Sequence, residues 1–191
     1  MGLPALERHD LVGGTALALR YGHRLSVDLD LFSEQPFDPD AMAKVLEVEF
    51  GPDFGWEPDR RVKFALFCSI CEVKVDILHY PHPVIAPPVT VSGIRMYADD
   101  DLSAMKVQAI LGRGRKKDFW DLHELLKHHE LQWIMDCHKR KYPNQMYAIS
   151  IPNALSWFDD ADKSTAPVSL KGQTWEAIKR SIQKAVSVFL L

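Results

Sequence analysis

Apolar and polar positions follow two periods along this chain, and the change from one to the other marks its elements. Leu11-Val12 closes a short strand, and Gly13-Gly14-Thr15 then opens a helix of about eight residues, TALALRYG. VDLDLF reads as a second strand that places Asp28 and Asp30 on one face. Pro36 and Pro39 bound a loop. Pro39 to Phe50 has helical spacing in Met42, Val45, Leu46 and Val48, and Gly51-Pro52 stops it. RRVKFALF and ICEVKVDIL form a β pair joined near Ser69, and in the second arm Lys74 and Asp76 share the face opposite Val73, Val75 and Ile77.

After HYPHPVIAPPV, one short strand in VSGIRMY leads into helices. Asp100 or Asp101 is the expected N-cap of DLSAMKVQAIL, whose Leu102, Met105, Ala109 and Ile110 form an apolar stripe. The basic turn GRGRKK separates it from DFWDLHELLKHH. TWEAIKRSIQKAVSVFLL closes the chain as an amphipathic helix with Trp175, Ile178, Ile182, Ala185 and Phe189 inward. There is no internal repeat and no low-complexity segment.

The chain has 191 residues, enough for one folding unit with two sub-parts. No apolar run approaches a bilayer span, and MGLPALERHD lacks the basic and apolar regions of a secretion signal, so a cytoplasmic, non-membrane protein is expected. The net charge of −3 excludes a wholly basic nucleic-acid coat and confines any such contact to a local patch. Three cysteines, an odd number, read as free thiols rather than a disulfide framework.

Asp28 and Asp30 are the unusual feature. Aspartate is a poor strand former, and two carboxylates on one face repel each other unless a cation lies between them. A solvent-facing edge strand is one explanation. A divalent metal is another: Mg²⁺ prefers hard oxygen ligands and is held by one or two carboxylates plus substrate phosphates. Asp76 supplies a third carboxylate, enough for two metals in a phosphoryl or nucleotidyl transfer. Gly13 and Gly14 expose backbone N–H groups at a helix N-terminus to an anion, and the Thr15 hydroxyl can donate to a phosphate, although the glycines also suit a plain tight turn.

The order GG-T, D-x-D and a lone Asp in VKVDIL resembles the nucleotidyltransferase superfamily of DNA polymerase β. More narrowly, LVGGTALALRYGHRLSVDLDLF, VKVDIL, DLSAMKVQAILGRGRKKDFWDL and ALSWFDDAD together resemble the AbiEii/AbiGii toxin family, the toxin half of type IV toxin–antitoxin systems. The resemblance implies an α/β (α+β) fold: a polymerase-β-like core with a mixed sheet flanked by helices over residues 1–98, and a helical C-terminal part over 99–191 that closes the cleft. It implies an NTP-dependent enzyme that moves a nucleotide to an acceptor hydroxyl, on RNA in the leading reading, restrained by a cognate antitoxin. Asp28, Asp30 and Asp76 would hold Mg²⁺, with Asp76 activating the acceptor. Gly13, Gly14 and Thr15 would contact phosphates. Lys106 would point at the triphosphate, Asp118 would be the acidic residue of the last motif, and Arg24 and Ser26 would lie near the nucleotide. A protein or small-molecule acceptor, a non-catalytic NTP-binding protein and a phosphohydrolase are the alternatives. Relatives usually have a helix before the glycine turn; here that stretch is short, which would leave part of the cleft floor uncovered.

Other constellations are weaker. Cys68 and Cys71 have half of a zinc spacing that Cys137-His138 would complete on paper, but hairpin and helix patterns favour buried thiols. His79, His82, His128 and His129 have no carboxylate or cysteine partner at convincing spacing. Lys106 beside Met105 suits a cleft edge or a snorkelling surface position, and Lys117 with Asp121 reads as an i,i+4 pair. Arg113, Arg115, Lys116 and Lys117 form the densest basic cluster, either a solvated turn or a strip for an acceptor's phosphates.

Overall fold

The computed structural model describes residues 2–57 and 62–191. Seven strands form one mixed sheet in the order β3-β4-β5-β2-β1-β7-β6. They are β1 (Asp10–Val12), β2 (Leu29–Ser33), β3 (Phe54–Trp56), β4 (Ala65–Ile70), β5 (Val73–His79), β6 (Val89–Val91) and β7 (Ile94–Met96). Helix α1 (Gly13–Tyr21) follows β1 directly, and β2 returns antiparallel to β1 so that Val12 is the register partner of Asp30. β2 runs parallel to β5, while β4 and β5 form an antiparallel hairpin. The expected mixed α/β sheet with flanking helices is therefore present.

Several element boundaries differ from those read along the chain. β2 begins at Leu29, so Asp28 precedes the strand. The β4–β5 turn is at Cys71-Glu72, with φ values of 49° and 63°, rather than at Ser69. Two consecutive residues in the left-handed region match the twist of a tight hairpin, a geometry that neither residue type advertises. Arg60 and Arg61, assigned to the first arm of this pair, lie outside the described residues. VSGIRMY holds the turn of a second hairpin, β6–β7, with Ser92 and Gly93 at positive φ.

Helix α2 (Pro39–Phe50) is capped by Asp38, whose carboxylate accepts from the backbone of Asp40 and Ala41. It lies on β3 and β4 with Met42, Ala43 and Leu46 inward, whereas Val45 and Val48 are exposed. Helix α3 (Asp99–Gly112) has Ala98 at its N-cap and no side-chain cap, so neither Asp100 nor Asp101 caps it. Asp101 is instead fully buried. It pairs with Lys141 at 2.6 Å and accepts from the backbone of Ile85 and Ala86, which clips the proline-rich segment against α3. Such a satisfied pair is needed because an unpaired charge in this position would be costly.

Helices α4 (Lys116–Leu125) and α5 (Leu131–Lys141) pack with α3, α8 (Trp175–Phe189) packs on α4 and α5, and short α6 (Ile151–Leu155) and α7 (Asp159–Asp162) lie between α5 and α8 in the chain. One continuous apolar cluster joins sheet and helices, from Leu17, Leu31 and Ile77 to Leu102, Phe119, Ile134 and Ile182. Phe158 packs on Phe119 and Trp175 at ring separations of 5.1 and 5.7 Å. Burial of apolar area on this scale is the main stabilising term of the fold. Among the described residues no helix is long and apolar enough to cross a membrane.

Candidate active site

Asp30 and Asp76 are register partners on parallel β2 and β5, so their side chains leave the same face of the sheet, opposite Leu29, Leu31 and Val75. That opposite face carries an apolar cavity of about 700 Å³ lined by Leu3, Leu11, Leu29 and Val75 among others. Burial, reinforced by the Asp76 charge, raises the Asp30 carboxyl above the usual range, while Lys106, Lys74 and Lys117 oppose the shift. Lys74 Nζ donates to Asp76 Oδ2 at 2.5 Å, and Asp76 Oδ1 is buried with no hydrogen-bond partner.

Among the described residues, no group of three or more His, Cys, Asp and Glu side chains is arranged to hold a metal by protein donors alone. Mg²⁺ does not require such a cage, since it retains waters and takes substrate phosphates as ligands. The Asp30–Asp76 pair, with an orphaned buried oxygen and mutual repulsion that a cation would relieve, fits that donor chemistry.

Helix α1 starts at Gly13 without a side-chain cap, leaving its first N–H groups beside Asp30. Gly13 has φ +71°, and a Cβ there would lie 2.7 Å from Asp30 Oδ2. A Cβ on Gly14 would lie 2.1 Å from Arg24 Nη2. The two glycines thus admit a carboxylate and a guanidinium to the helix terminus, a reason beyond the exposure of N–H groups. The Thr15 hydroxyl donates to the Asp28 carbonyl and lies 2.9 Å from Ser26 Oγ. These bonds tie the start of α1 to the residues leading into β2.

Arg24 is also engaged within the protein. Asp121 is fully buried and receives Arg24 Nε at 2.6 Å, Arg24 Nη2 at 2.9 Å, His23 Nε2 at 2.7 Å and Lys106 Nζ at 2.8 Å. The i,i+4 pairing of Asp121 with Lys117 is therefore corrected: Asp121 is the centre of a buried charge cluster. Lys106 reaches Asp118 Oδ1 as well, at 3.2 Å, and Arg113 Nε lies 3.2 Å from Asp118 Oδ2. Lys106 is buried between two carboxylates rather than projecting from a cleft edge or snorkelling. Burial alone would raise both carboxyls, but Lys106 and the neighbouring basic groups hold Asp121 and Asp118 below the usual range. The same carboxylates keep Lys106 protonated against the cost of its burial.

Lys117 joins the site from α4. Burial and then Arg113 lower its pKa, and the Asp118 and Asp28 carboxylates counter them. Sequence reasoning did not single out Lys117 or Lys74 as site residues. Their positions, next to Asp118 and two residues before Asp76, were the available signals. The rest of the basic cluster disperses: Arg113 serves Asp118, Lys116 donates to the carbonyls of Asp162 and Ser164, and Arg115 is exposed.

The C-terminal half holds this arrangement from outside. Leu25 N donates to Val168 O and Leu170 N to His23 O, so the segment before α8 pairs with the stretch carrying Arg24. Lys171 donates to buried Glu124 of α4 at 2.6 Å.

Cys68 is buried with its thiol on the Val75 carbonyl, Cys71 is exposed in the hairpin turn, and Cys137 is buried on α5. Burial pushes the Cys68 thiol up to about 11. His138 is lowered to about 4 by burial and bonds Gln108. The reading of His128 and His129 as unpartnered is corrected, since His129 bonds Asp99 at 2.8 Å and His128 lies 3.6 Å from Glu124. Asp99 is 30 residues from His129 in sequence, beyond a spacing argument, whereas Glu124 stands at i,i+4 to His128, a spacing that is written in the sequence.

The family model described as "Nucleotidyl transferase AbiEii toxin, Type IV TA system" matches residues 10–182. An uncharacterized protein of Aquifex aeolicus (strain VF5), aq_aa25, is 31% identical over 186 residues, covering 94% of this chain and 87% of the relative. The fold is similar to that of MenT4, the nucleotidyltransferase toxin Rv2826c from Mycobacterium tuberculosis H37Rv, with a TM-score of 0.61, 16% identity and coverage of 94% and 75% of the two chains. It is also similar to JHP933 from Helicobacter pylori, with a TM-score of 0.55, 15% identity and coverage of 96% and 84%.

Proposed function

Since the chain belongs to the AbiEii family of nucleotidyltransferase toxins, we propose that it moves a nucleotide from an NTP to an acceptor hydroxyl on RNA in a Mg²⁺-dependent reaction, restrained in its host by a cognate antitoxin. The observation that carries this reading is the Asp30–Asp76 register pair set beside the uncapped, glycine-built N-terminus of α1. One element binds cations and the other phosphates, and a nucleoside triphosphate is loaded with both.

In this reading Asp28, Asp30 and Asp76 hold Mg²⁺, which when bound supplies Lewis-acid charge to phosphate oxygens. The N–H groups of Gly13 and Gly14 and the Lys117 ammonium orient the triphosphate. Asp76, with its free Oδ1, takes the proton of the attacking hydroxyl. Lys106, Asp118, Asp121 and Arg24 act one layer back, keeping positive charge beside the phosphates without moving. Thr15 and Ser26 fix the approach of Asp28. The helical part after residue 98 closes one side of the cleft. Transfer of this kind depends on positioning and on charge stabilisation at phosphorus more than on covalent chemistry by the protein.

Incubation with Mg²⁺, each α-labelled NTP and total cellular RNA, followed by a denaturing gel, tests the proposal. A labelled RNA band with wild type and none with Asp30→Ala is expected. Label on protein instead would overturn the RNA acceptor, and free phosphate without any labelled macromolecule would overturn transfer.

A further inference from the structure

Next to the basic turn is a second cavity, of about 440 Å³, lined by Leu111, Arg113, Gly114, Ile149, Trp157 and Asp160 among others. Its size lies within the ~300–1,000 Å³ range of small-ligand sites. Trp157 is 62% exposed, although its neighbour Phe158 is buried against Phe119. Trp157 N donates to Ala154 O where α6 ends, and the residue lines the cavity. An indole has only two side-chain torsions to fix, so stacking a flat partner on it costs little conformational freedom.

The same cavity is lined by one basic residue, Arg113. One side of the Arg113 guanidinium grips Asp118, while half of the side chain remains exposed in the cavity. Arg115, two residues further along the chain, is exposed. Between them Gly114, at φ +47°, packs closely, since a Cβ there would lie 3.3 Å from the Ile110 carbonyl oxygen and 3.7 Å from the Phe119 ring. Asp160 is the acidic residue at the rim, and it has Lys163 3.8 Å away. An aromatic ring and a guanidinium lining one cavity suit a ligand that carries both a flat π-face and a phosphate, as a single-stranded nucleotide does.

We propose that this cavity docks the single-stranded RNA acceptor, one base stacking on Trp157 while Arg113 and Arg115 face its phosphates. The proposal rests on the RNA-acceptor reading above and adds the place where that acceptor is held. Arg113 links the two sites, since the carboxylate it binds, Asp118, also binds Lys106. The Lys106 charge in turn acts on Asp30.

The test compares wild type, Trp157→Ala and Trp157→Phe for binding of a fluorescein-labelled, short single-stranded RNA of mixed sequence by anisotropy. NTP binding is measured in parallel by calorimetry with Mg²⁺, and thermal melts confirm folding. Trp157→Ala should weaken RNA binding about tenfold, the loss expected for removing one stacking platform. Trp157→Phe should restore most of that loss, and NTP affinity should be unchanged in both. In the transfer assay KM for RNA should rise while kcat is retained. Unchanged RNA affinity in Trp157→Ala would overturn the subsite while leaving the RNA acceptor standing. No RNA binding by wild type would overturn both, and NTP binding would then decide separately whether nucleotidyl transfer survives. A loss of self-association by sedimentation in Trp157→Ala, with RNA affinity unchanged, would reassign the face to a second copy of the chain.

Discussion

Arg24 closes a two-point bond on Asp121 from 97 residues away, Nε to Oδ1 at 2.6 Å and Nη2 to Oδ2 at 2.9 Å, and so locks the sheet-borne half of the site to helix α4. The same carboxylate holds Lys106 and His23, and Asp118 supplies a second negative charge to Lys106 and Arg113.

Asp121→Asn should therefore act first on stability. It leaves Lys106 and Arg24 buried with one negative partner fewer, and breaking such a pair costs about 3–5 kcal/mol. Urea unfolding monitored by circular dichroism measures it. A loss of transfer activity with unchanged unfolding would mean that Asp121 acts in the reaction itself.

Asp30→Asn should behave in the opposite way. The Asp30 charge is disfavoured by burial and by Asp76, so its removal should leave the metal-free protein as stable or more so, by about 1 kcal/mol or less. Transfer activity should disappear and Mn²⁺ binding, followed by electron paramagnetic resonance, should weaken. A clear loss of melting temperature would show that Asp30 is needed for the fold.

Gly14→Ala should destabilise because its Cβ would meet Arg24 Nη2 at 2.1 Å and push the guanidinium off Asp121. Gly13→Ala combines a left-handed backbone with a 2.7 Å approach to Asp30, at a cost of about 1 kcal/mol or more. Thermal melts with and without Mg²⁺-NTP should show both effects, with the stabilisation by NTP reduced most in Gly13→Ala.

Acid should unfold the protein in two stages. His138 is lowered to about 4, below its unfolded value of about 6.5, so the unfolded chain binds more protons between these values and stability falls as pH drops through that window. Asp118, Asp121 and Glu124, the last held at about 2, contribute stability that is present above the unfolded carboxylate range and lost as pH falls below about 4. Unfolding free energy measured from pH 7 to 3 should decline along both limbs, and His138→Gln should flatten the first.

The resemblance was legible because its motifs are local. A glycine pair before a helix, alternating aspartates and an amphipathic closing helix are each written within a few residues, and backbone geometry converts them directly into an uncapped helix terminus, a shared strand face and a buried stripe. Turns that use ordinary residues at positive φ, such as Cys71-Glu72, carry no comparable signal and were misplaced.

What only the tertiary structure decided is where each charge goes. Spacing could show that Lys106, Asp118 and Asp121 lie on helices, and that Arg24 and Thr15 lie near the glycines. It could not show that Asp121 would be fully buried with three basic partners, that Thr15 would bond the Asp28 carbonyl, or that Lys106 would be buried between Asp118 and Asp121. Buried charges must find opposite partners wherever packing brings them, and those partners come from elements that meet only when sheet and helices close on one core.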